Sequence, residues 1–301
     1  MRAGFGGHLR PLAVMGVAVA AACHSAPPAP PTPPPAAPPS ETVLLRLRGQ
    51  VGQVRHIRTV MDNYVHFGAG EPPSGDSARP TMRMIHFATE TVTAVSGDTV
   101  TVVLVTDSSR TTMTGLPVPS AMLDSLDSRG LTITTRMDGR GRVISAATRG
   151  GNARLEERMA SVRRMLPGVD TALEASRGTP LRLPDRPVRV GETWADTSSV
   201  PRAPGGPAGV VVATYRLERI EMRGGHRVAV ISSGIVMPPM TLETPLRMSS
   251  GPMRTVGETE FDLDAGWIVR HSTTMTGSTH TEMGDISMRM VMRQTPLEDQ
   301  R

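Results

Sequence analysis

Alternating apolar and polar residues dominate the chain after residue 40. The segments 43–47, 100–105 and 286–293 either alternate in this way or are rich in Val, Ile and Thr. Period-two alternation with β-branched residues is typical of half-buried strands in an antiparallel sheet. The chain is therefore predicted to be mainly β.

Turn-forming residues separate these strands at hairpin spacing. Ser96-Gly97-Asp98, Asp138-Gly139-Arg140-Gly141 and Arg223-Gly224-Gly225 each lie between two runs with strand character. Glycine accepts the positive φ that tight hairpin connections need. The spacing predicts three β-hairpins, centred on these segments.

One stretch has helical rather than strand periodicity. Asn152 can cap a helix that ends at Pro167-Gly168 and places four apolar residues on one face: Leu155, Met159, Val162 and Leu166. This spacing predicts an amphipathic helix over 152–166. Shorter helical turns are predicted over 120–126 and 170–176.

A weak internal repeat organises the β-rich part. Val51-Gly52-Gln53-Val54 precedes one series of strands and Val190-Gly191-Glu192-Thr193-Trp194 precedes another, and each series closes with an Asp- and Gly-containing hairpin. The pattern predicts two related halves, about 41–150 and 180–301, joined by a helical segment 151–179. The expected fold is a curved antiparallel sheet, or sheets, of half-barrel type.

The first 22 residues have the order of a secretory signal. Arg2 and Arg10 are followed by an apolar run over 12–22 that ends in small residues before Cys23. This run is about half the roughly 20 residues that a transmembrane helix needs. We expect cleavage before Cys23 and export, with an ordinary signal peptide and an incidental cysteine as the alternative.

Cys23, the sole cysteine, resembles the lipobox cysteine of bacterial lipoproteins, although Ala20 stands where the family usually has Leu. The resemblance implies diacylation of Cys23 and a membrane as partner. His24 rather than Asp follows, which implies the outer membrane. The Pro- and Ala-rich remainder of 23–40 is typical of a semi-rigid spacer, with a ligand for a proline-recognition domain as the alternative.

The charge pattern argues against nucleic acid as a partner. The formal charge of +5 includes Arg2 and Arg10, which would leave with the signal. The chain has no Lys, and its Arg residues are interspersed with Asp and Glu, as on a mixed solvated surface.

Known catalytic motifs are absent from the sequence. There is no Gly-x-Ser-x-Gly elbow and no His-Glu-x-x-His segment, and the single cysteine is assigned to the lipid. We therefore expect a non-enzymatic protein without a cofactor.

Two groups of residues could in principle hold a metal. His56, His66 and His86 fall in the first half, and His271 and His280 in the second, an odd number of residues apart and so on opposite faces of one strand. The segment 262–266 superficially suggests a calcium loop, but the later ligands of an EF-hand are missing. No metal site is predicted, and 262–266 is predicted to be a hairpin turn.

Methionine is unusually abundant, with 20 residues beside four Phe, two Trp and two Tyr. Met82 and Met84 share one strand face, as do Met288, Met290 and Met292, and these five are the candidate ligand-binding residues. Flexible, polarisable Met side chains can line a promiscuous apolar groove. The alternative is that Met fills the core where aromatic residues are scarce.

Several segments together resemble a family of bacterial exported β-rich lipoproteins that has no assigned activity. They are the Gly-initiated strand starts, the segment from Leu123 to Gly130, the Asp-x-x-Gly-x-Val hairpin and the segment 183–194. A more distant likeness is to lipoprotein-carrier half-barrels, which hold acyl chains. The resemblance implies a non-catalytic envelope module that binds an apolar ligand or lipid. The alternative is a structural or protein-interaction lipoprotein with a filled core.

Overall fold

Strands make up most of the described part of the chain in the computed structural model. It describes residues 41–68, 70–72, 78–114, 127–151, 181–200, 209–242, 248–281 and 284–297, with four residues between 153 and 160. The strands are β1 (Thr42–Val43), β2 (Val54–Phe67), β3 (Met82–Ser96), β4 (Thr99–Met113), β5 (Thr132–Asp138), β6 (Val143–Arg149), β7 (Val188–Arg189), β8 (Thr193–Val200), β9 (Gly209–Arg223), β10 (His226–Met237), β11 (Met240–Leu242), β12 (Met248–Ser250), β13 (Met253–Asp262), β14 (Trp267–Thr281) and β15 (Gly284–Pro296). The predicted mainly β class is confirmed.

One large antiparallel sheet contains all the strands of the described residues except the short pair β1 and β7. Its order is β6-β5-β4-β3-β2-β15-β14-β13-β10-β9-β8, with β11 and β12 beside the end of β14. Two meanders, one from each half of the chain, meet where β2 pairs with β15. Because these two strands are far apart in sequence, their pairing joins the halves into one sheet.

All three predicted hairpins are confirmed. β3 and β4 meet around Gly97, β5 and β6 around Gly141, and β9 and β10 around Gly224. Each of these glycines has positive φ, between 58° and 78°. Side chains with a Cβ rarely adopt this conformation, so the glycines account for the tight connections.

The sheet curves strongly, as two successive hydrogen bonds demonstrate. The amide of Leu47 donates to the Gly139 carbonyl (2.7 Å), and the amide of Arg48 donates to the Gly266 carbonyl (2.8 Å). Gly139 follows β5 and Gly266 precedes β14. These two strands are five steps apart in the strand order, which would be about 24 Å in a flat sheet with strands about 4.8 Å apart. Adjacent residues reach both glycines only because the sheet bends around them.

The hydrophobic core lies at one end of this curved sheet, here called the core end. Leu45 and Leu47 from one inserted segment, and Leu181 and Leu183 from another, are all at most 4% exposed. They pack against residues from both meanders: Val92, Val100, Val102, Met137, Tyr215, Leu217, Ala229, Ile231, Phe261 and Trp267. Trp194 stacks on Tyr215 with ring centroids 5.6 Å apart. The two inserted segments therefore fill the concave side of the sheet at this end.

The predicted strand over 43–47 is only partly correct. β1 ends at Val43, and Leu45 and Leu47 are buried without belonging to a strand. The alternating apolar residues in this segment reflect the burial of Leu45 and Leu47 against the sheet. They do not indicate a strand that is hydrogen-bonded to a neighbouring strand.

In the described part of the chain, helical conformation is assigned only at residues 153, 156, 157 and 160, and no helix has assigned bounds. Most of 152–166, and all of 120–126 and 170–176, lie outside the described residues, so these helices stay predictions. Among the described residues no helix is long and apolar enough to cross a bilayer.

Candidate functional site

The five methionines predicted as ligand contacts lie on one face of the sheet, together with five others. Directly paired residues of antiparallel strands share a face, and the pairing between strands places all ten there. The set is Met61, Met82, Met84, Met113, Met237, Met253, Met275, Met288, Met290 and Met292, here called the methionine face. Every one of them is half-buried.

Cross-strand pairing arranges these side chains in rows. One row runs Met84, Met61, Met292 over β3, β2 and β15. The next runs Met113, Met82, Asn63, Met290, Met275. A third contains Met288 and the Met253–Met237 pair, with Gly277 between Met288 and Met253. A Cβ on Gly277 would lie 2.8 Å from Met253 Cγ, so that side chain lies directly over the glycine.

The methionine face is the continuation of the face that forms the core. On β3, Met82 and Met84 alternate in step with Ala88 and Val92, which are 5% and 0% exposed. The register between β2 and β3 is regular from Asn63 to Val54, so no bulge reverses the faces on the way. The concave side therefore has a filled core end and, farther along the same strands, a methionine end.

The opposite face of the same strands carries charges. Asp62, only 2% exposed, accepts hydrogen bonds from Arg83 at 2.6 and 3.1 Å and lies 3.6 Å from Arg293. The hydrogen bond from Arg83 raises the pKa of that guanidinium. Tyr64 lies under the Arg289 guanidinium at 4.0 Å. The ten methionines and these charged side chains therefore lie on opposite faces of the same strands.

A polar layer separates the core end from the methionine end. Arg55 pairs with Glu90 at 2.9 Å and lies 3.8 Å from the centre of the Trp267 ring. Burial lowers the pKa of Arg55 to about 10 and raises the pKa of Glu90, with each partner opposing the other's shift. The attraction between the two charges therefore offsets only part of the cost of burying them.

Two histidines belong to this layer. His271 is 3% exposed, and its Nδ1 lies 2.9 Å from Thr259 Oγ1. Burial lowers the pKa of His271 to about 4, so the imidazole is neutral at pH 7. His86, two residues from Met84 on the same face, lies 3.0 Å from Ser128 Oγ, and burial lowers its pKa too.

The remaining candidate histidines do not join this layer. His280 is exposed and bonds Asp285 at 2.6 Å, on the face opposite to His271, as the odd spacing predicted. His56 bonds Thr89 on the exposed face at 3.1 Å. His66 pairs with Ser287 near the outer end of β2.

The segment 262–266 forms the turn between β13 and β14, as predicted. Asp262 Oδ1 accepts the amides of Asp264 and Ala265, both at 2.8 Å. His226, Asp262 and Asp264 have donor atoms within 4.8 Å of one another and could hold a cation. Oδ1 of Asp262 already accepts hydrogen bonds within the turn, and Oδ2 lies 3.2 Å from His226 Nδ1. Contacts within the protein therefore explain the position of the Asp262 carboxylate without a metal ion.

An open cleft of about 540 Å³ lies at the outer tips of β14 and β15. Its lining includes Ser249, Ser278, His280 and Asp285. It contains none of the ten residues of the methionine face. The candidate ligand contacts are therefore on the concave face and not in this cleft.

Sequence reasoning did not assign Met61, Met113 or Met275 to the candidate site. Their signal is weak because each is a single methionine within its strand, whereas Met82/Met84 and the three on β15 show period two. Their position on the face depends on pairing with strands elsewhere in the chain.

No family model and no curated protein matches the chain. The suspected likeness to exported β-rich lipoproteins therefore stays a prediction. Cys23 and the linker to residue 40 lie outside the described residues.

Proposed function

We propose that this chain is a cell-envelope lipoprotein, anchored through Cys23, whose β-rich domain binds an apolar ligand or lipid without catalysing a reaction. The anchor would hold it at a membrane, with the outer membrane as the expected location. The Pro-rich spacer would set the domain off the lipid surface.

The methionine face is the observation that carries the binding part of the proposal. Ten half-buried thioether side chains on one concave face offer an adaptable apolar surface. Beside the methionines, ion pairs such as Asp62–Arg83 lie on the other face. The Arg55–Glu90 pair of the concave face lies nearer the core end. An apolar chain laid on the methionine face would cover surface that is only partly removed from water.

A row of polar residues that includes His86 of the polar layer supports a ligand with a polar end. His86, Thr59 and Gln294 lie on the same face, one step from Met84, Met61 and Met292 towards the core. An amphiphile could place its apolar chain on the methionines and its head at these groups. A purely hydrocarbon ligand would make no polar contact with these groups.

The filled core end favours a second candidate, a structural or protein-interaction role. Leu45, Leu47, Leu181 and Leu183 already occupy the concavity there. In that case contacts would be made by the edge strands β6 and β8, which end the strand order.

Binding of a fluorescent fatty acid to the chain carrying Cys23→Ser, which cannot be acylated, tests the proposal. We expect saturable binding, weakened at least tenfold by Met290→Asp, because a carboxylate on the apolar face must be desolvated. Thr276→Asp is the matched control, since Thr276 is exposed on the opposite face of neighbouring β14. Absence of saturable binding, or equal loss in both variants, would favour the interaction role.

The lipid anchor is tested separately by mass spectrometry of the mature N-terminus. We expect an acylated Cys23 as the first residue. An intact leader with an unmodified thiol would contradict the lipoprotein assignment.

The proposal includes two related halves, for which two turns give support. Gly52 donates to Val92 and Val92 donates to Gln53, while Gly191 donates to Leu217 and Leu217 donates to Glu192. The φ angles of the two glycines are 86° and 87°. Matching turns at the start of β2 and β8 are the expected result of duplication.

A further inference from the structure

Three methionines face one another directly on adjacent strands. Met61 on β2 is paired with Met84 on β3 and with Met292 on β15. Side chains opposite one another have Cβ atoms about 4.5–5.5 Å apart. Methionine is unbranched with three rotatable bonds, so three sulfur atoms can reach a common point above Met61.

A buried nitrogen without a hydrogen-bond partner lies on the strand next to Met292, one member of this trio. His271 on β14 pairs with Gln294, two residues from Met292 on β15, which makes His271 and Met292 diagonal neighbours on one face. Among the described residues, His271 Nε2 has no hydrogen-bond partner although it is buried. An unpaired buried polar atom costs about 1–3 kcal/mol.

The environment of His271 suits a metal ligand. When Nδ1 donates to Thr259 Oγ1, 2.9 Å away, the buried Nε2 carries the lone pair of the ring. Metal-bound histidines generally use their second nitrogen in this way, which fixes the ring orientation.

We propose that Met61, Met84 and Met292, with His271 Nε2 as a neighbouring nitrogen donor, bind a soft monovalent cation of the Cu(I) or Ag(I) type. Thioether sulfur selects Cu(I) among biological metals, and imidazole is compatible with it. Hard cations such as Ca²⁺ and Mg²⁺ need several oxygen ligands instead. The inference does not depend on the apolar-ligand function, although both use the methionine face.

Calorimetric titration with Ag(I), on the chain carrying Cys23→Ser, tests the site after removal of the only thiol. We expect saturable binding at one equivalent, confirmed with Cu(I) against a chromophoric chelator. Met61→Leu combined with Met292→Leu should weaken binding at least tenfold, because leucine keeps the volume and apolar character but lacks sulfur. Met237→Leu combined with Met253→Leu is the control, since this directly paired couple lies elsewhere on the same face.

X-ray absorption at the copper edge supplies a readout specific to His271. We expect a nitrogen scatterer beside sulfur, lost in His271→Gln. The site is overturned by absence of saturable Ag(I) binding, by equal weakening in both leucine pairs, or by a sulfur-only spectrum in the unaltered chain. Fatty-acid binding retained in the Met61/Met292 leucine variant would separate this result from failure of the proposed function.

Discussion

The core end and the methionine end share strands and a face but differ in what covers that face. At the core end, two segments from outside the large sheet lie in the concavity, and Leu45, Leu183 and Phe261 are at most 1% exposed. At the methionine end, every described methionine of the face keeps some exposure. One face of one sheet thus provides stability at one end and, as proposed, a binding surface at the other.

The largest expected difference between the two ends comes from making the same substitution, Met to Ala, at each end. Met137 is 5% exposed in the core and Met290 is half-buried on the methionine face. We expect Met137→Ala to lower the free energy of unfolding by about 2–5 kcal/mol, as for buried Met. Met290→Ala should cost less than about 1 kcal/mol, since solvent already reaches it. Urea denaturation measures both, and equal losses would contradict the division into two ends.

The features of the two ends that depend on neighbouring residues could be predicted from the sequence. Hairpins around Gly97, Gly141 and Gly224 follow from turn chemistry that acts over a few residues. Period two also placed Met82 with Met84, and grouped the three methionines of β15.

The sequence could not predict that the methionines of β3 and those of β15 lie on one continuous face, because this depends on the pairing of β2 with β15. Val65 and Met288 are opposite each other only after the whole chain has folded. No turn signal encodes a pairing between such distant segments. Burial of Leu45 and Leu47 was likewise visible as alternation, whereas their position across the concavity was not.

The burial of His271, which lies in the polar layer between the two ends, predicts how the free energy of unfolding depends on pH. Its pKa is about 4 in the folded chain, against about 6.5 when unfolded. Between these values the unfolded chain binds more protons, so stability is complete above pH 6.5 and falls as pH decreases towards 4, by up to about 3 kcal/mol. His86, whose pKa is also lowered, acts in the same direction.

A variant isolates the His271 contribution. The difference in unfolding free energy between pH 7 and pH 4.5 should be smaller in His271→Gln than in the unaltered chain. His56→Gln, at an exposed position, is the control and should leave the difference unchanged. An unchanged pH slope in His271→Gln would mean that the imidazole is accessible to protons in the folded state.

The smallest expected effect concerns the contact between the inserted segment and the sheet. Gly266 and Gly224 both have positive φ, 66° and 58°, so alanine is strained at either position. A Cβ at Gly266 would meet the Arg46 carbonyl oxygen at 2.9 Å and Arg48 Cβ at 2.7 Å, whereas nothing lies within 4 Å at Gly224. Gly266→Ala should therefore be less stable than Gly224→Ala by about 1 kcal/mol.

Because the backbone strain is common to both variants, thermal or urea unfolding of the pair measures how tightly the inserted segment is held against the sheet. Equal stabilities would show that the segment moves aside without cost, and that the core end does not depend on its docking.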